Sequence, residues 1–116
     1  MIPTVTSSLS DPATDDDTDY DQRQYKMMLS RVQAFLAGQL SLGKTVDDLD
    51  ALLNAVRRVD VPWKESFQHQ WGKLEDIRAA AIDESFKGFS DAVKQRLIEA
   101  AVAVEKLIAG KVSQDN

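Results

Sequence analysis

The sequence contains no cysteine and only one histidine, His69, among its 116 residues. Without cysteine the chain has no disulfide bond, no thiolate nucleophile and no cysteine-bound metal. A metal site around His69 needs two or three further histidines or carboxylates that converge on the same ion, and helical periodicity places this side chain on an exposed face. We therefore expect no metal, no cofactor and no catalytic residues. The lack of cysteine also fits a reducing cytoplasm.

Long apolar runs are missing as well. No run approaches the ~20 residues that cross a membrane. The N-terminal stretch, MIPTVTSSLSDPATDDD, has neither the basic nor the apolar region of a signal peptide. We expect a cytoplasmic protein without a membrane partner.

Positive charge is absent from residues 1–21, which contain six aspartates and no lysine or arginine, a net charge of −6. The rest of the chain holds 14 basic and 13 acidic side chains, a net charge of +1. Because a nearly neutral body lacks the basic stripe that follows a nucleic-acid backbone, no nucleic-acid partner is expected. The segment 1–21 has too few apolar side chains to offset its ordering entropy, and we predict a disordered acidic tail.

Helical periodicity extends over residues 22–112, and no segment sustains the period of two that is typical of a strand. The predicted helices have polar starts and glycine ends, and they run from Asp21 to Gly38, from Thr45 onward, from Asp60 onward, and from Ser90 to Gly110. Short connections favour antiparallel packing. The sequence therefore predicts an all-α fold, a four-helix antiparallel bundle over 22–112, with a disordered end at 113–116.

Each predicted helix has an apolar face that should point into the core. These inward residues are Tyr25, Met28, Leu29, Val32 and Leu36; Val46, Leu49, Leu52, Leu53 and Val56; Trp63, Phe67, Leu74, Ile77 and Ala81, with Trp71 and Ile82 at the edge; and Val93, Leu97, Ala101, Val104, Leu107 and Ile108.

One stretch matches a phosphate-binding motif. Residues 38–45, GQLSLGKT, fit G-x-x-x-x-G-K-[ST] letter for letter, a pattern whose glycines and lysine hold phosphate in a P-loop. A P-loop follows a β-strand, whereas the segment before Gly38 has helical spacing. We predict that the match is accidental, that Gly38 ends one helix and that Thr45 caps the next. Nucleotide binding through Lys44 stays a third functional hypothesis behind the two given below.

Acidic side chains recur on the polar sides of the second and third helices. The plain interpretation is a solvated helix face, and the functional one is a cluster that faces a basic partner. Trp71 lies at the edge of an apolar arc, where an aromatic ring can contact a partner. The candidate partner-binding residues of these helices are Asp47, Asp48, Asp50, Trp71, Glu75, Asp76, Asp83 and Glu84.

The fourth helix is apolar on two sides. Ile98, Val102 and Ala109 form a second line, roughly opposite the inward positions. A helix that is apolar on both sides is buried on both sides or binds another protein. Ile98 and Val102 therefore join the candidate partner-binding residues, and a homodimer through this helix is an alternative use.

Two stretches, FLAGQLSLGKTVDDLDALLNAV and WKESFQHQWGKLEDIRAAAIDE, together resemble small helical immunity-type proteins of bacterial toxin systems. That group includes proteins similar to the colicin D and contact-dependent-inhibition immunity partners. In it a first helix ends in a phrase like FL-x-G-x-(I/L)-S, followed by an amphipathic helix and by a helix rich in Trp, Phe and acids. The resemblance covers roughly residues 25–84. It implies a stoichiometric inhibitor that plugs the active site of a nuclease toxin, usually by presenting an acidic surface to a basic enzyme.

The leading hypothesis is thus a non-enzymatic partner-binding protein, an immunity-type inhibitor of a cognate toxin or effector. The alternative is a self-associating helical structural or adaptor module. Tight, salt-sensitive binding to a basic partner favours the first hypothesis, and concentration-dependent dimerisation favours the second.

Overall fold

The computed structural model describes the backbone of residues 12–80 and 89–112, with side chains from Asp17 onward. Within these ranges the chain forms four helices and no strand. The helices are α1, Pro12–Leu36; α2, Leu42–Ala55; α3, Val61–Ala80; and α4, Asp91–Ala109. The predicted fold class, an all-α four-helix bundle, is confirmed.

The helices form a ring in which each packs against two neighbours. α1 and α3 both pack against α2 and α4, and the contact between α2 and α3 is the least extensive of the four. α1 runs antiparallel to its two neighbours. Asp21, in its first half, contacts Arg57 just beyond the end of α2, and Gln22 donates to the carbonyl of Lys111 just beyond the end of α4.

The core lies along the axis of this ring. Trp63 links three helices there: its ring stacks on Phe67 of α3, meets Tyr25 of α1 edge-on, and donates its indole N–H to the carbonyl of Leu107 in α4. Every predicted inward residue within the described ranges is buried or packs against the core. The buried apolar residues are Tyr25, Met28, Val32, Phe35, Leu42, Val46, Leu49, Leu53, Val56, Phe67, Leu74, Leu97, Ala100, Ala101, Val104 and Ile108.

The start of α1 differs from the prediction. Residues 12–21 are helical, so α1 begins before the predicted start at Asp21 and includes part of the segment 1–21. The carboxylate of Asp21 is buried and accepts the backbone N–H groups of Arg57 and Arg58 at 2.8 and 2.9 Å. These hydrogen bonds to the turn after α2 hold Asp21 in place, which the acidic composition of the segment does not indicate. The predicted disorder at 1–11 and 113–116 lies outside the described residues.

Four predicted helix boundaries are confirmed, of which the last is the end of α4 at Gly110. Gly38 follows α1 with φ of +79°, in the left-handed region that glycine enters without steric cost. Asp60 accepts the N–H of Trp63 at 3.0 Å at the start of α3. Ser90 accepts the N–H of Val93 at 3.2 Å at the start of α4. Each side-chain oxygen pairs an N–H that a helix start otherwise leaves without a partner.

The predicted cap of α2 is wrong by one turn. Ser41, not Thr45, is the N-cap, and its hydroxyl accepts the N–H of Lys44 at 3.2 Å. Thr45 is fully buried inside the helix and donates its hydroxyl to the carbonyl of Ser41 at 2.7 Å. The earlier start places Leu42 four residues before Val46 on the apolar stripe, where it is buried.

Candidate functional site

The P-loop-like segment 38–45 joins two helices in this fold. It begins just after the end of α1, where a P-loop has the end of a strand. Its Leu42 is buried in the core, and the ammonium group of Lys44 lies 3.1 Å from the carboxylate of Asp48, one turn further along α2. The predicted helix before Gly38 is confirmed, and the motif here consists of the connection 38–41 and the first residues of α2.

Three candidate partner-binding residues, Asp47, Trp71 and Glu75, come together where α2 meets α3. The indole N–H of Trp71 donates to the carbonyl of Val46 at 3.1 Å, which holds the ring against α2. Arg78 connects the two helices. Its guanidinium nitrogens lie 3.0 Å from the carboxylate of Asp47 and 3.3 Å from that of Glu75.

Asp50 belongs to the same surface. It follows Asp47 by three residues, so that both point to the same side of α2, and it is exposed. We name the surface formed by Asp47, Asp50, Trp71, Glu75 and Arg78 the α2–α3 face. With three carboxylates and one guanidinium, this face has a net charge of −2.

The ion pairs of the α2–α3 face are mostly open to water. The side chain of Asp47 is 67% exposed, and exposed pairs of this kind contribute about 0–1 kcal/mol to stability. Oε1 of Glu75 and Nε of Arg78 are shielded from solvent, and they contact each other at 3.3 Å without hydrogen-bond alignment. Asp47 can therefore exchange Arg78 for a cation on another protein at little cost to the fold.

Asp48 and Asp76, predicted with this cluster, point elsewhere. Asp48 faces α1, where its carboxylate lies 3.0 Å from Arg31 and 3.1 Å from Lys44, so two cations compensate its charge. Asp76 lies beside a groove between α3 and α4. Asp83 and Glu84 are outside the described residues. Among the described residues, the predicted acidic cluster is thus represented on this face by Asp47 and Asp50 of α2 and Glu75 of α3.

Ile98 and Val102 are remote from the α2–α3 face. They lie on the side of α4 that turns towards α1, a side marked by the hydrogen bond at 3.3 Å between Gln33 and Glu105. The Ile98 side chain is 41% exposed, and Val102 is partly buried. The second apolar line predicted on this helix is therefore partly solvent-accessible.

A groove along α3 and α4 was not predicted. Its upper part has a volume of about 640 Å³ and an apolar floor that includes Ile77, Phe89 and Val93. Its lower part, about 780 Å³, is lined by residues that include Glu65, His69 and Leu107, and Gln70 borders both parts. Gln70 occupies an apolar position in the sequence of α3, and a polar residue at such a position is the signal from which this opening could have been inferred.

His69 is exposed, as predicted, on the lower part of that groove. Within residues 12–80 and 89–112, no group of three histidines, aspartates or glutamates could hold a metal ion. None of the described helices is both long and apolar enough to span a membrane.

The chain was compared with models of protein families, with curated protein sequences and with solved structures. None of the three comparisons yields a match. The resemblance to immunity-type proteins therefore stays a prediction from the sequence.

Proposed function

We propose that this chain is a non-enzymatic, cytoplasmic partner-binding protein, and that it acts as an immunity-type inhibitor of a bacterial nuclease toxin. It binds the toxin stoichiometrically through the α2–α3 face. The observation that carries the proposal is that exposed carboxylates and an aromatic ring from two helices lie together there. The carboxylates Asp47 and Asp50 are not part of the core.

The charge of the α2–α3 face sets the chemistry of the partner. This local net charge of −2, within residues 22–116 whose total is +1, attracts a basic protein surface. An enzyme that cleaves nucleic acid has such a surface, because it binds phosphates through lysine and arginine. Complementary charge mainly accelerates association and orients the two proteins.

Trp71 supplies an apolar contact at the base of the face. Tryptophan is among the residues that most often dominate binding energy at protein interfaces. Its indole N–H is already bonded to the carbonyl of Val46. The partner can therefore cover the accessible part of the ring without leaving a buried donor unpaired.

The sequence resemblance covers the helices that form this face. Its span, roughly residues 25–84, includes all of α2 and the described part of α3. Asp47 and Trp71 both lie within that span. The resemblance therefore supports the proposal at the level of the two helices that carry the face.

Self-association through α4 is the second candidate function, because Ile98 is one of three large apolar side chains exposed among the described residues. The other two, Met27 and Val61, lie on α1 and at the start of α3. Sedimentation over a hundredfold concentration range distinguishes the candidates. A monomer throughout supports heterologous binding, and a dimer that Ile98→Asp dissociates supports the alternative.

The direct test is inhibition of a toxin. The purified chain is titrated against the product of the neighbouring gene in its native genome, and cleavage of a nucleic-acid substrate is measured. We expect cleavage to stop at one equivalent of inhibitor. The absence of both binding and inhibition would contradict the immunity-type function.

Charge reversal locates the contact surface. We expect the Asp47→Lys, Asp50→Lys double variant to slow association by at least tenfold at low salt, because two attractive charges become repulsive. The matched control is Glu65→Lys, Glu99→Lys, which changes the net charge equally at exposed positions on the α3–α4 side. Equal slowing by both double variants would show a general charge effect and would rule out the α2–α3 face as the specific contact.

A further inference from the structure

Two carboxylates one turn apart on α1 both contact the turn between α2 and α3. Asp17 contacts the side chains of this turn, with its two oxygens 3.1 Å from the guanidinium of Arg57 and 3.3 Å from that of Arg58. Asp21 accepts the backbone N–H groups of the same two residues. We name residues 56–60 the Arg57–Arg58 turn. Four donors of this turn are thus bound by one face of one helix.

Tyr20 completes the contact. The guanidinium of Arg57 lies 4.0 Å from the centroid of the Tyr20 ring, a distance at which a cation is attracted to an aromatic face. Arg57 is therefore held between a carboxylate and an aromatic ring of α1. The Arg23 guanidinium lies further from the same ring, at 5.8 Å.

The two carboxylates differ in their access to water. Asp21 is only 6% exposed. The contact made by Asp17, the outer of the two, is more open to water. The side chains of Asp17, Arg57 and Arg58 are 28%, 52% and 57% exposed. Salt screens exposed charges far more than buried ones. The outer contact is therefore the weaker one, although both contacts lie on the same helix.

We propose that residues 17–20 of α1 form a releasable strap over the Arg57–Arg58 turn. The turn is a carboxylate-binding site that the chain fills with its own Asp17. In the open state the first turns of α1 detach up to Asp21, which stays anchored by its two N–H donors. Both guanidiniums, already about half exposed, then lose their carboxylate partner, and this end of the bundle becomes more basic.

The strap is separate from the α2–α3 face and does not depend on the proposed function. Its release requires the loss of two ion pairs, the two cation–π contacts of Tyr20 and the helical hydrogen bonds of the first turns, and of no residue of the buried core. Helix ends of this kind open at far lower free energy than the whole fold. The strap can therefore open while the bundle stays folded.

Limited proteolysis of the full chain tests the strap, because trypsin cleaves after an accessible arginine. We expect Asp17→Asn to accelerate cleavage after Arg57 or Arg58 about threefold to tenfold, in line with the loss of two exposed ion pairs. The matched control is Asp19→Asn, which removes the same charge from an exposed position two residues away. It should stay within about twofold of the unmodified chain.

Two internal measurements separate opening of the strap from unfolding. Cleavage after Arg96, in the middle of α4, requires the bundle to unfold and should not change in either variant. Raising NaCl from 0.05 to 0.5 M should accelerate cleavage at the turn, relative to Arg96, in the unmodified chain and have little effect in Asp17→Asn. Equal rates for Asp17→Asn and Asp19→Asn, or faster cleavage only in step with Arg96, would overturn the proposal.

Discussion

Two regions of this bundle use the same kinds of residue in different ways. The clasped end comprises Asp17, Asp21, Arg57, Arg58 and Trp63, and the α2–α3 face also combines aspartates, an arginine and a tryptophan. At the clasped end the carboxylate of Asp21 is buried and bonded to two backbone N–H groups. At the face the carboxylate of Asp47 is largely in water. The same residue type stabilises the fold in one region and leaves a surface available for binding in the other.

The two regions differ in how many groups lose a hydrogen-bond or ion-pair partner when the aspartate is removed. Without Asp21, two backbone donors of the Arg57–Arg58 turn lose their acceptors inside the protein, which is costly. Without Asp50, no described group loses an ion-pair or hydrogen-bond partner. Acidic composition therefore does not distinguish aspartates that stabilise the fold from aspartates free to contact a partner. The two kinds are distinguished by the groups that their carboxylate oxygens contact.

The two tryptophans should show the largest difference between the regions. Trp63 packs against Tyr25 and Phe67 and bonds to α4, so we expect Trp63→Ala to lower the free energy of unfolding by about 3 kcal/mol. Trp71 is also partly buried against the core and bonded to a carbonyl, but it has no ring pair like those of Trp63, so Trp71→Ala should cost about 1 kcal/mol less than Trp63→Ala. Urea denaturation followed by circular dichroism measures both. A larger loss for Trp71→Ala would show that Trp71, at the α2–α3 face, contributes more to the stability of the fold than Trp63 does.

High pH should lower the free energy of unfolding through Tyr25, whose ring contacts that of Trp63 at the clasped end. Burial raises the pKa of the Tyr25 hydroxyl above its usual value of about 10, and the nearby charges of Asp21 and Asp60 raise it further. Folding therefore favours the protonated form. This stability is complete below about pH 10 and is lost as the pH rises through the raised pKa.

Tyr25→Phe should remove this alkaline loss, whereas Tyr20→Phe should keep it, because only the first substitution deletes the buried hydroxyl. Chemical denaturation between pH 8 and 11 provides the measurement. An identical pH profile for Tyr25→Phe and the unmodified chain would show that another group controls the alkaline limit.

The smallest effect is expected at Lys44, which belongs to neither region. Its ammonium group pairs with Asp48 at an exposed position, so Lys44→Ala should change the free energy of unfolding by less than about 0.5 kcal/mol. We also expect calorimetry to detect no ATP binding that depends on this lysine. Micromolar ATP binding abolished by Lys44→Ala would instead support a nucleotide site at residues 38–45.

Much of the fold follows from local patterns in the sequence. Helical spacing predicts the core stripes, and Gly38, Asp60 and Ser90 mark three boundaries because each acts on its own backbone within a few residues. The cap of α2 is a local feature too, but Ser41 and Thr45 both fit a start. The burial of Leu42, a property of the packed bundle, decides between them.

The clasped end could not be predicted in this way. Asp21 and its donors are more than thirty residues apart, and nothing in the acidic segment indicates which carboxylate has a partner. The α2–α3 face is an intermediate case. The sequence identifies Asp47 and Trp71 separately, but only the packing of α2 on α3 shows that they share a surface and that Asp48 does not.

The free energy of unfolding of Asp21→Ala, measured beside that of Asp50→Ala in the same urea titration, tests this distinction most directly. We expect a loss of about 2 kcal/mol for Asp21→Ala, because two partly buried N–H groups lose a charged acceptor. We expect a change below about 0.5 kcal/mol for Asp50→Ala, whose side chain is exposed. Equal losses, or a larger loss for Asp50→Ala, would contradict the separation between an aspartate that holds the fold and one that is free to bind a partner.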